Sequence, residues 1–302
     1  NPAYILNIFS AVLAASSAGT AAFVLRYIFF KKPQRYDIQP VILSMAFATI
    51  WGFSNSLWST AVGIEVYALG ILLAVLSLLS LIIYIEKNDF RLLVLSVYLL
   101  SLGLANRLSI AALFIPIAFI VISSRLNGRQ VAFLIIAVIF GLTLYLYLPL
   151  RSSQNPIADW DHPASLTSLI NHVTARRYTG YISGIRLDNY LVNLWRSIKI
   201  LANQFPGYAS LIGLASLIVL RNIPFKIKTV LLMIFAFNML TVPLYDIPDI
   251  DQYCLPSIFV SVVGLMMIIN WIKNMVIGKW GTIVVSMVIV LMLGGAASRN
   301  FA

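Results

Sequence analysis

The stretch YLYLPLRSSQNPIADWDHP, residues 145–163, decides how the chain is organised, because it opens a long polar interruption in an otherwise apolar sequence. The interruption runs from Tyr145 to Tyr208 and holds both histidines and three of the ten acidic residues. The segments on either side are mostly lipid-soluble. A chain that devotes most of its length to membrane helices and gathers polar groups in one segment is expected to work there.

Composition places the chain among integral membrane proteins. Hydrophobic residues make up 61% and charged residues 10%, against roughly 25% charged in soluble domains, and the mean hydropathy is +0.93. The net charge of +11 is expected to reflect membrane topology, and no nucleic-acid partner is predicted. The single cysteine excludes an internal disulfide and a multi-cysteine metal site.

The apolar runs predict an all-α fold, a polytopic transmembrane bundle of about ten spans, since about 20 apolar residues cross a bilayer. We divide it into N-terminal membrane helices (1–150), an outer-face polar segment (151–207) and C-terminal membrane helices (208–302). The predicted spans are residues 4–30, 41–61, 68–84, 92–105, 108–122, 131–148, 208–220, 230–244, 255–272 and 280–295.

Lysine and arginine bias predicts the orientation, because cytoplasmic loops are enriched in both. With Asn1 outside, 13 of the 21 basic and three of the ten acidic residues lie inside. The net charge is then +10 inside and +1 outside. This assignment puts the polar segment on the outer face together with the loops that carry Glu65, Arg107 and Asp246–Asp251.

Two amphipathic helices are predicted within residues 151–207. Ser165 is a plausible N-cap for the first, and the second begins near Asp188, with an apolar stripe that includes Leu191 and Leu201 and with Asn193 facing away. Such helices lie along the membrane interface with their cations toward anionic headgroups. Membrane lipids are therefore expected partners.

Charged groups in short loops are costly near a bilayer and tend to be paired or functional. Glu65 is either a solvated loop carboxylate or a catalytic one. Arg107 either snorkels to the headgroups or binds phosphate, whose oxygens suit the guanidinium fork. Arg176, Arg177 and Tyr178 follow the first amphipathic helix and are candidates for contact with a lipid-linked phosphate.

A dense polar group is predicted at Asp159, Trp160, Asp161 and His162. Carboxylates accept from sugar hydroxyls and an indole stacks on a pyranose face, and a carboxylate of raised pKa is a candidate general base. The alternative is a loop anchored at the interface by its tryptophan. His162 and His172 have no fixed metal-ligand spacing, so they predict no metal site.

The acidic loop of residues 245–253 carries three carboxylates within six residues. Oxygen ligands suit a divalent cation, so a cation is possible here, although the spacing is not that of an EF-hand. A solvated acidic loop is the simpler interpretation, and no cofactor is predicted with certainty.

Several motifs, in this order, resemble the GT-C membrane glycosyltransferases, in the branch related to protein O-mannosyltransferases that includes uncharacterised bacterial members. The resemblance covers most of the chain and rests on Asn1–Ala11, Glu65–Leu69, Gly103–Arg107, Tyr147–Ser152, Trp160-Asp161 with His172, Arg177 and Tyr178, and Asp249–Tyr253.

The resemblance implies transfer of a sugar, often mannose, from a polyprenyl phosphate to a protein or glycan acceptor on the outer face, in bacteria the periplasmic side of the inner membrane. It also implies one more span and an acidic catalytic loop upstream of Asn1, so the chain is read as N-terminally truncated, and it leads us to expect His where Arg107 stands. The predicted roles are catalysis by Glu65 and Asp161, donor phosphate binding by Arg107, Arg151, Arg176 and Arg177, and sugar or acceptor binding by Tyr67, Asn106, Asp159, Trp160, His162, His172, Tyr178, Asp249, Asp251 and Tyr253.

Two other functions are compatible with the same pattern. One is a polysaccharide polymerase or ligase that uses two outer arginines on a long loop. The other is a transporter or lipid flippase, which would place charged or broken helices near the midplane and often shows an internal repeat. The charges here lie at the ends of the predicted spans, which favours the transferase.

Overall fold

The computed structural model describes residues 2–30, 38–182, 186–275 and 279–301, and every regular element in these ranges is helical. Nothing is described of the Tyr178 side chain. The α-helices are α1 Pro2–Phe29, α2 Gln39–Gly52, α3 Asn55–Val62, α4 Tyr67–Lys87, α5 Phe90–Asn106, α6 Phe114–Ser123, α7 Gly128–Leu142, α8 Tyr147–Ser152, α9 Leu166–Val173, α10 Leu187–Ala202, α11 Ala209–Val219, α12 Phe225–Thr241, α13 Ile250–Tyr253, α14 Leu255–Met275 and α15 Lys279–Phe301. Short 3₁₀ turns connect several of them, at Leu108–Leu113, Thr143–Leu146, Arg176–Tyr181, Pro206–Tyr208 and Val242–Leu244.

Six helices in the described ranges are long and apolar enough to cross a membrane, which does not support the predicted count of about ten spans. The count rises to seven if the bent pair α2 and α3 forms one span. Three other predicted spans are shorter apolar helices of 10–17 residues. The six are Pro2–Phe29, Tyr67–Lys87, Gly128–Ser152, Phe225–Leu244, Leu255–Lys273 and Gly281–Asn300.

The bend between α2 and α3 has a local cause. The two helices meet at 69° across Phe53 and Ser54, where the Ser54 hydroxyl donates to the Trp51 carbonyl at 2.6 Å. The side chain therefore satisfies a backbone oxygen that the break leaves without its helical partner. One apolar run in the sequence thus becomes two short helices.

Caps mark the helix ends that the sequence could predict. Ser165 and Ser168 form a reciprocal capping box at the start of α9, which confirms the predicted N-cap. Asn88 ends α4 in a left-handed conformation, and the Asp89 side chain accepts from Arg91 N to start α5. The turn at Asn88 and Asp89 thus connects α4 to α5, which pack against each other.

Helices α11 and α14 approach each other closely. A Cβ atom on Gly213 or Gly264 would overlap the backbone of the opposite helix, and Ser216 Oγ donates to the Gly264 carbonyl. Small residues permit such an approach in membrane bundles, where packing rather than water drives association.

Helix α10 turns a partly polar face toward the protein. Its buried face contains Asn193 and Ser197 beside Leu201, whereas Leu191 and Trp195 are exposed. Asn193 Nδ2 donates to the carbonyls of Pro243 and Tyr245, so the polar side chain is buried because it satisfies backbone acceptors. α10 thereby holds the segment that leads from α12 into α13.

Candidate active site

Arg107 directly follows α5, and its guanidinium group is buried between two tyrosine rings. Its guanidinium carbon is 4.1 Å from the ring centroid of Tyr67 and 4.3 Å from that of Tyr253. The two rings meet edge to face with centroids 6.0 Å apart. Each cation–π contact contributes about 0.5–2 kcal/mol, more when it is desolvated. We call Arg107, Tyr67, Tyr253 and Asp249 the arginine cluster.

The ends of α4 and α5 position the cluster. Asn106, the last residue of α5, donates from Nδ2 to the Val66 carbonyl at 2.9 Å, just before Tyr67 begins α4. Gly70 provides the space, because a Cβ there would lie 3.1 Å from both Arg107 Cδ and Asn106 Nδ2. The predicted site residues Asn106, Tyr67 and Arg107 are therefore adjacent.

The acidic loop supplies the rest of the cluster, although it is far from Tyr67 and Arg107 in the sequence. The Tyr67 hydroxyl donates to Asp249 Oδ2, and Tyr253 follows on α13. Arg196 of α10 supports the loop by donating to the Pro248 carbonyl at 3.2 Å. Residues 182 positions apart thus meet through a side-chain hydrogen bond.

Arg107 keeps unused hydrogen-bonding capacity. Its Nε and Nη2 atoms are buried and have no hydrogen-bond partner among the described residues. A buried charge that is not fully hydrogen-bonded is costly to maintain. An anion placed against these two donors would remove that cost, and the guanidinium fork suits phosphate or carboxylate oxygens.

A second polar group is formed by the loop before α9, by His172 of α9 and by the turn after it. Arg177 Nη1 donates to Asp161 Oδ1 at 2.6 Å, and His172 Nδ1 lies 3.6 Å from Asp161 Oδ2. The Arg177 guanidinium also lies 5.4 Å from the Trp160 ring centroid, and Trp160 is 64% exposed. We call these four residues, with Asp159 and His162, the loop cluster.

Asp159 organises the other half of the loop cluster. It accepts from Ser152 Oγ at 2.8 Å and lies 2.6 Å from His162 Nδ1. The Ser152 hydrogen bond, followed by His162, holds the pKa of Asp159 below its usual value. Asp161 and His162 both have positive φ, at 63° and 43°, a conformation that costs non-glycine residues free energy and concentrates at functional loops.

The two clusters occupy the same end of the bundle. Asp246 N, in the acidic loop, donates to the Tyr181 carbonyl at 2.8 Å. Tyr181 ends the turn that carries Arg177 of the loop cluster. Tyr145, which leads into α8 and Ser152, donates from its hydroxyl to the Leu104 carbonyl at 2.9 Å near the end of α5. These two hydrogen bonds therefore join the segments that carry the loop cluster to the acidic loop and to α5.

The other predicted site residues lie outside both clusters. Arg151 donates to Gln154 and Arg176 to Asn171, on the surface. Glu65 is exposed and forms no hydrogen bond or ion pair with the described residues. The prediction for Tyr178 falls on a side chain outside the described part of the structure.

Asp251 interacts with Ser56 of α3. Burial raises its pKa above the usual value, against an opposing hydrogen bond from Ser56 of α3, whereas Asp249 bonds to Tyr67. The two carboxylates of the acidic loop therefore have different partners. Within the described residues, no three His, Cys, Asp or Glu side chains converge as a metal site would need.

Sequence reasoning did not single out two side chains that complete these clusters. Ser152 is 1% exposed and bonds to Asp159, and its signal was the hydroxyl directly after Arg151. Gln252 is 8% exposed, and its Oε1 has no partner among the described residues. Its only signal was its place between Asp251 and Tyr253.

No curated protein matches the chain. Residues 1–132, somewhat less than half of the chain, match the family model described as the protein O-mannosyl-transferase TMEM260 N-terminal domain. The matched segment contains Tyr67, Asn106 and Arg107. This similarity supports a relationship to an O-mannosyltransferase family and, with the six candidate membrane helices, indicates a membrane glycosyltransferase.

Proposed function

We propose that the chain moves mannose from a polyprenyl phosphate to a hydroxyl of a protein or glycan acceptor, and that the arginine cluster binds the donor phosphate. The observation that carries this proposal is the pair of buried, unpartnered Arg107 nitrogens. Of the four arginines predicted to bind phosphate, the other three already use their guanidinium groups on Gln154, Asn171 and Asp161.

The leaving group explains why a buried cation is needed. As the anomeric C–O bond breaks, its electron pair moves onto the phosphate oxygen, and the polyprenyl phosphate leaves with one more negative charge. Preorganised donors aimed at such developing charge commonly contribute a factor of about 10²–10³ each. Tyr67 and Tyr253 hold the Arg107 guanidinium between their rings, so little reorganisation is required.

The attacking hydroxyl needs a base. In this step the acceptor oxygen bonds to the anomeric carbon while its proton passes to a carboxylate, and a single displacement inverts that carbon. Glu65 is our candidate, because it lies two residues before Tyr67 and is free of ion pairs with the described residues. Asp161 is less suited, because it already accepts a charge-assisted bond from Arg177.

The loop cluster suits the acceptor or the sugar. Trp160 is exposed, with Arg177 over its ring, and a flat aromatic surface flanked by carboxylates fits a pyranose or a peptide. We propose that Asp159, His162 and His172 shape this platform. The membrane is proposed to be the bacterial inner membrane, with both clusters facing the periplasm.

The assay uses membranes that contain the full chain, polyprenyl phosphate carrying labelled mannose, and a peptide mixture. We expect covalent label in peptide, its loss in Arg107→Gln and Glu65→Gln, and partial retention in Asp161→Asn. Transfer from a nucleotide sugar instead, or equal activity in wild type and Arg107→Gln, would contradict the proposal. Counterflow of the donor without covalent product would favour transport.

The side of the membrane has its own test. Trp160→Cys places a thiol at an exposed position, while Cys254 is fully buried and serves as the internal control. A membrane-impermeant thiol reagent added to intact cells is expected to label Trp160→Cys and leave the wild type unlabelled. Labelling only after the cells are lysed would put the loop cluster on the cytoplasmic side.

A further inference from the structure

A small polar slot lies beside the arginine cluster. It has a volume of about 30 Å³, and its polar lining comes from Arg107, Ser109, Asn238, Gln252 and Tyr253. A single water-sized group needs roughly 10–15 Å³ of such space. The slot therefore has room for a hydroxyl beside Arg107.

Three of its polar atoms have no partner among the described residues: the donors Nε and Nη2 of Arg107 and the acceptor Oε1 of Gln252. Asn238 differs, because its Nδ2 donates to the Tyr253 carbonyl at 3.0 Å and its Oδ1 accepts from Ser257 Oγ at 2.7 Å. The slot thus presents both an open donor and an open acceptor.

This combination selects the chemistry of the ligand. A phosphate oxygen accepts hydrogen bonds but has no proton to donate to Gln252. A hydroxyl can accept from one of the two open Arg107 donors and donate to Gln252 Oε1 at the same time, which leaves the other Arg107 donor for a phosphate oxygen. Since a buried acceptor left without a donor is unfavourable, an occupant lacking the hydroxyl would leave Gln252 unsatisfied.

We propose that Gln252 is the residue that determines sugar specificity, by accepting a hydrogen bond from the sugar hydroxyl next to the anomeric carbon. This inference rests on the proposed function, in which Arg107 meets the phosphate on that carbon. Among the sugar hydroxyls, the one on the carbon next to the phosphate-bearing carbon lies nearest to a phosphate held at Arg107. Gln252 then distinguishes the sugar-bearing donor from the bare polyprenyl phosphate product.

The test compares two mannosyl donors, one intact and one lacking the hydroxyl on carbon 2, in wild type and Gln252→Met. Sites that hydrogen-bond a substrate hydroxyl reject the deoxy analogue strongly, and one buried pair corresponds to about 10- to 100-fold. We expect wild type to prefer the intact donor in kcat/KM by that factor. Gln252→Met is expected to lose most of the preference by losing activity on the intact donor alone.

Methionine has a similar length, and it removes an unpaired buried acceptor, so the variant is expected to fold at least as stably as wild type. Gln204→Met is the matched control. Gln204 is also buried, but it is fully engaged with Ser56 and Ile200. The Gln204→Met variant should lower the yield of folded protein and leave the ratio of kcat/KM between the two donors unchanged.

A binding arm separates this inference from the proposed function. Binding of polyprenyl phosphate with and without mannose is measured by quenching of intrinsic fluorescence. We expect Gln252→Met to weaken binding of the mannosyl form and to leave bare polyprenyl phosphate unchanged. An unchanged donor ratio in Gln252→Met, or equal losses for both donors, overturns the role of Gln252 alone. Failure of wild type to bind either lipid overturns both proposals.

Discussion

The arginine cluster and the loop cluster use similar residue types but are built in opposite ways. The arginine cluster joins side chains from α4, from the end of α5 and from the acidic loop, and it leaves two Arg107 nitrogens unpartnered among the described residues. The loop cluster comes from one continuous stretch, and Asp161 and Asp159 bind neighbours within 16 positions. Unused capacity, rather than the density of charge, indicates where a ligand belongs.

The largest expected difference between the clusters is in catalysis. Arg107→Gln removes the cation without a large change in size and should reduce kcat by about 10²–10³, the usual effect of losing one preorganised donor. Arg177→Gln releases Asp161 on an exposed loop and should cost less than about 10-fold. Initial rates of mannose transfer measure both. A larger loss in Arg177→Gln would move the reaction centre to the loop cluster.

The next effect concerns the tyrosine that bonds to the acidic loop. Tyr67→Phe keeps the ring over Arg107 and removes the bond to Asp249, so we expect a rate loss of about 10-fold, corresponding to roughly 1.4 kcal/mol. Asp249→Asn should give a similar loss, and the double variant should lose no more than either single one, because both break one interaction. Additive losses would show that Asp249 acts independently of Tyr67.

A smaller effect should follow from crowding Arg107. Gly70→Ala places a methyl group 3.1 Å from Arg107 Cδ, so the flexible side chain must move by a few tenths of an ångström. We expect the transfer rate to fall about 3-fold, since small misplacements near a reacting group already reduce rates. The matched control is Gly19→Ala in α1, whose Cβ would meet nothing within 4 Å. Equal rates in both variants would show that Gly70 provides no needed space.

The smallest effects concern pH, and they have opposite signs at Asp251 of the acidic loop and at Asp159 of the loop cluster. Burial raises the pKa of Asp251 in the folded protein, so ionisation is penalised and stability declines as pH rises through that pKa. Asp251→Asn should therefore stabilise the protein most at neutral pH. The pKa of Asp159 is lowered, so its contribution is present above the unfolded pKa and is lost as pH falls through the folded one.

Thermal unfolding in detergent measures these pH effects. Cys254, the single cysteine, is fully buried, so its labelling by a thiol-reactive fluorophore reports unfolding of the bundle. Asp159→Asn should lower the unfolding temperature near neutral pH and lose that effect in acid. The same pH dependence in both variants would contradict the assigned causes.

The sequence predicted the long spans and missed the short elements. Six of the ten predicted spans coincide with helices long enough to cross a membrane, because a long apolar run is a local property. The run at residues 41–61 differs, because it forms the bent pair α2 and α3, with Ser54 bonded to Trp51 at the break. The burial of Asn193 in α10 could not be predicted from the sequence, because the side chain bonds to a backbone carbonyl 50 positions away.

The candidate site was predictable only in its residue types. Arg107, Tyr67, Asp249 and Tyr253 were all named from the sequence, but their mutual contacts depend on how α4, α5 and α13 pack. Gln252 could not be singled out, because an unsatisfied acceptor is visible only once its surroundings are known. Arg151 and Arg176 were also named from the sequence, but they bond to Gln154 and Asn171 on the surface and lie outside both clusters.

The most direct test of the account is a cryo-EM structure of the full chain with a non-hydrolysable phosphonate analogue of mannosyl polyprenyl phosphate. We predict phosphonate oxygens within hydrogen-bonding distance, about 3 Å, of the Arg107 guanidinium. Phosphonate density at Arg177 and Trp160, with Arg107 still enclosed between its tyrosines, would contradict the assignment of the arginine cluster as the donor site.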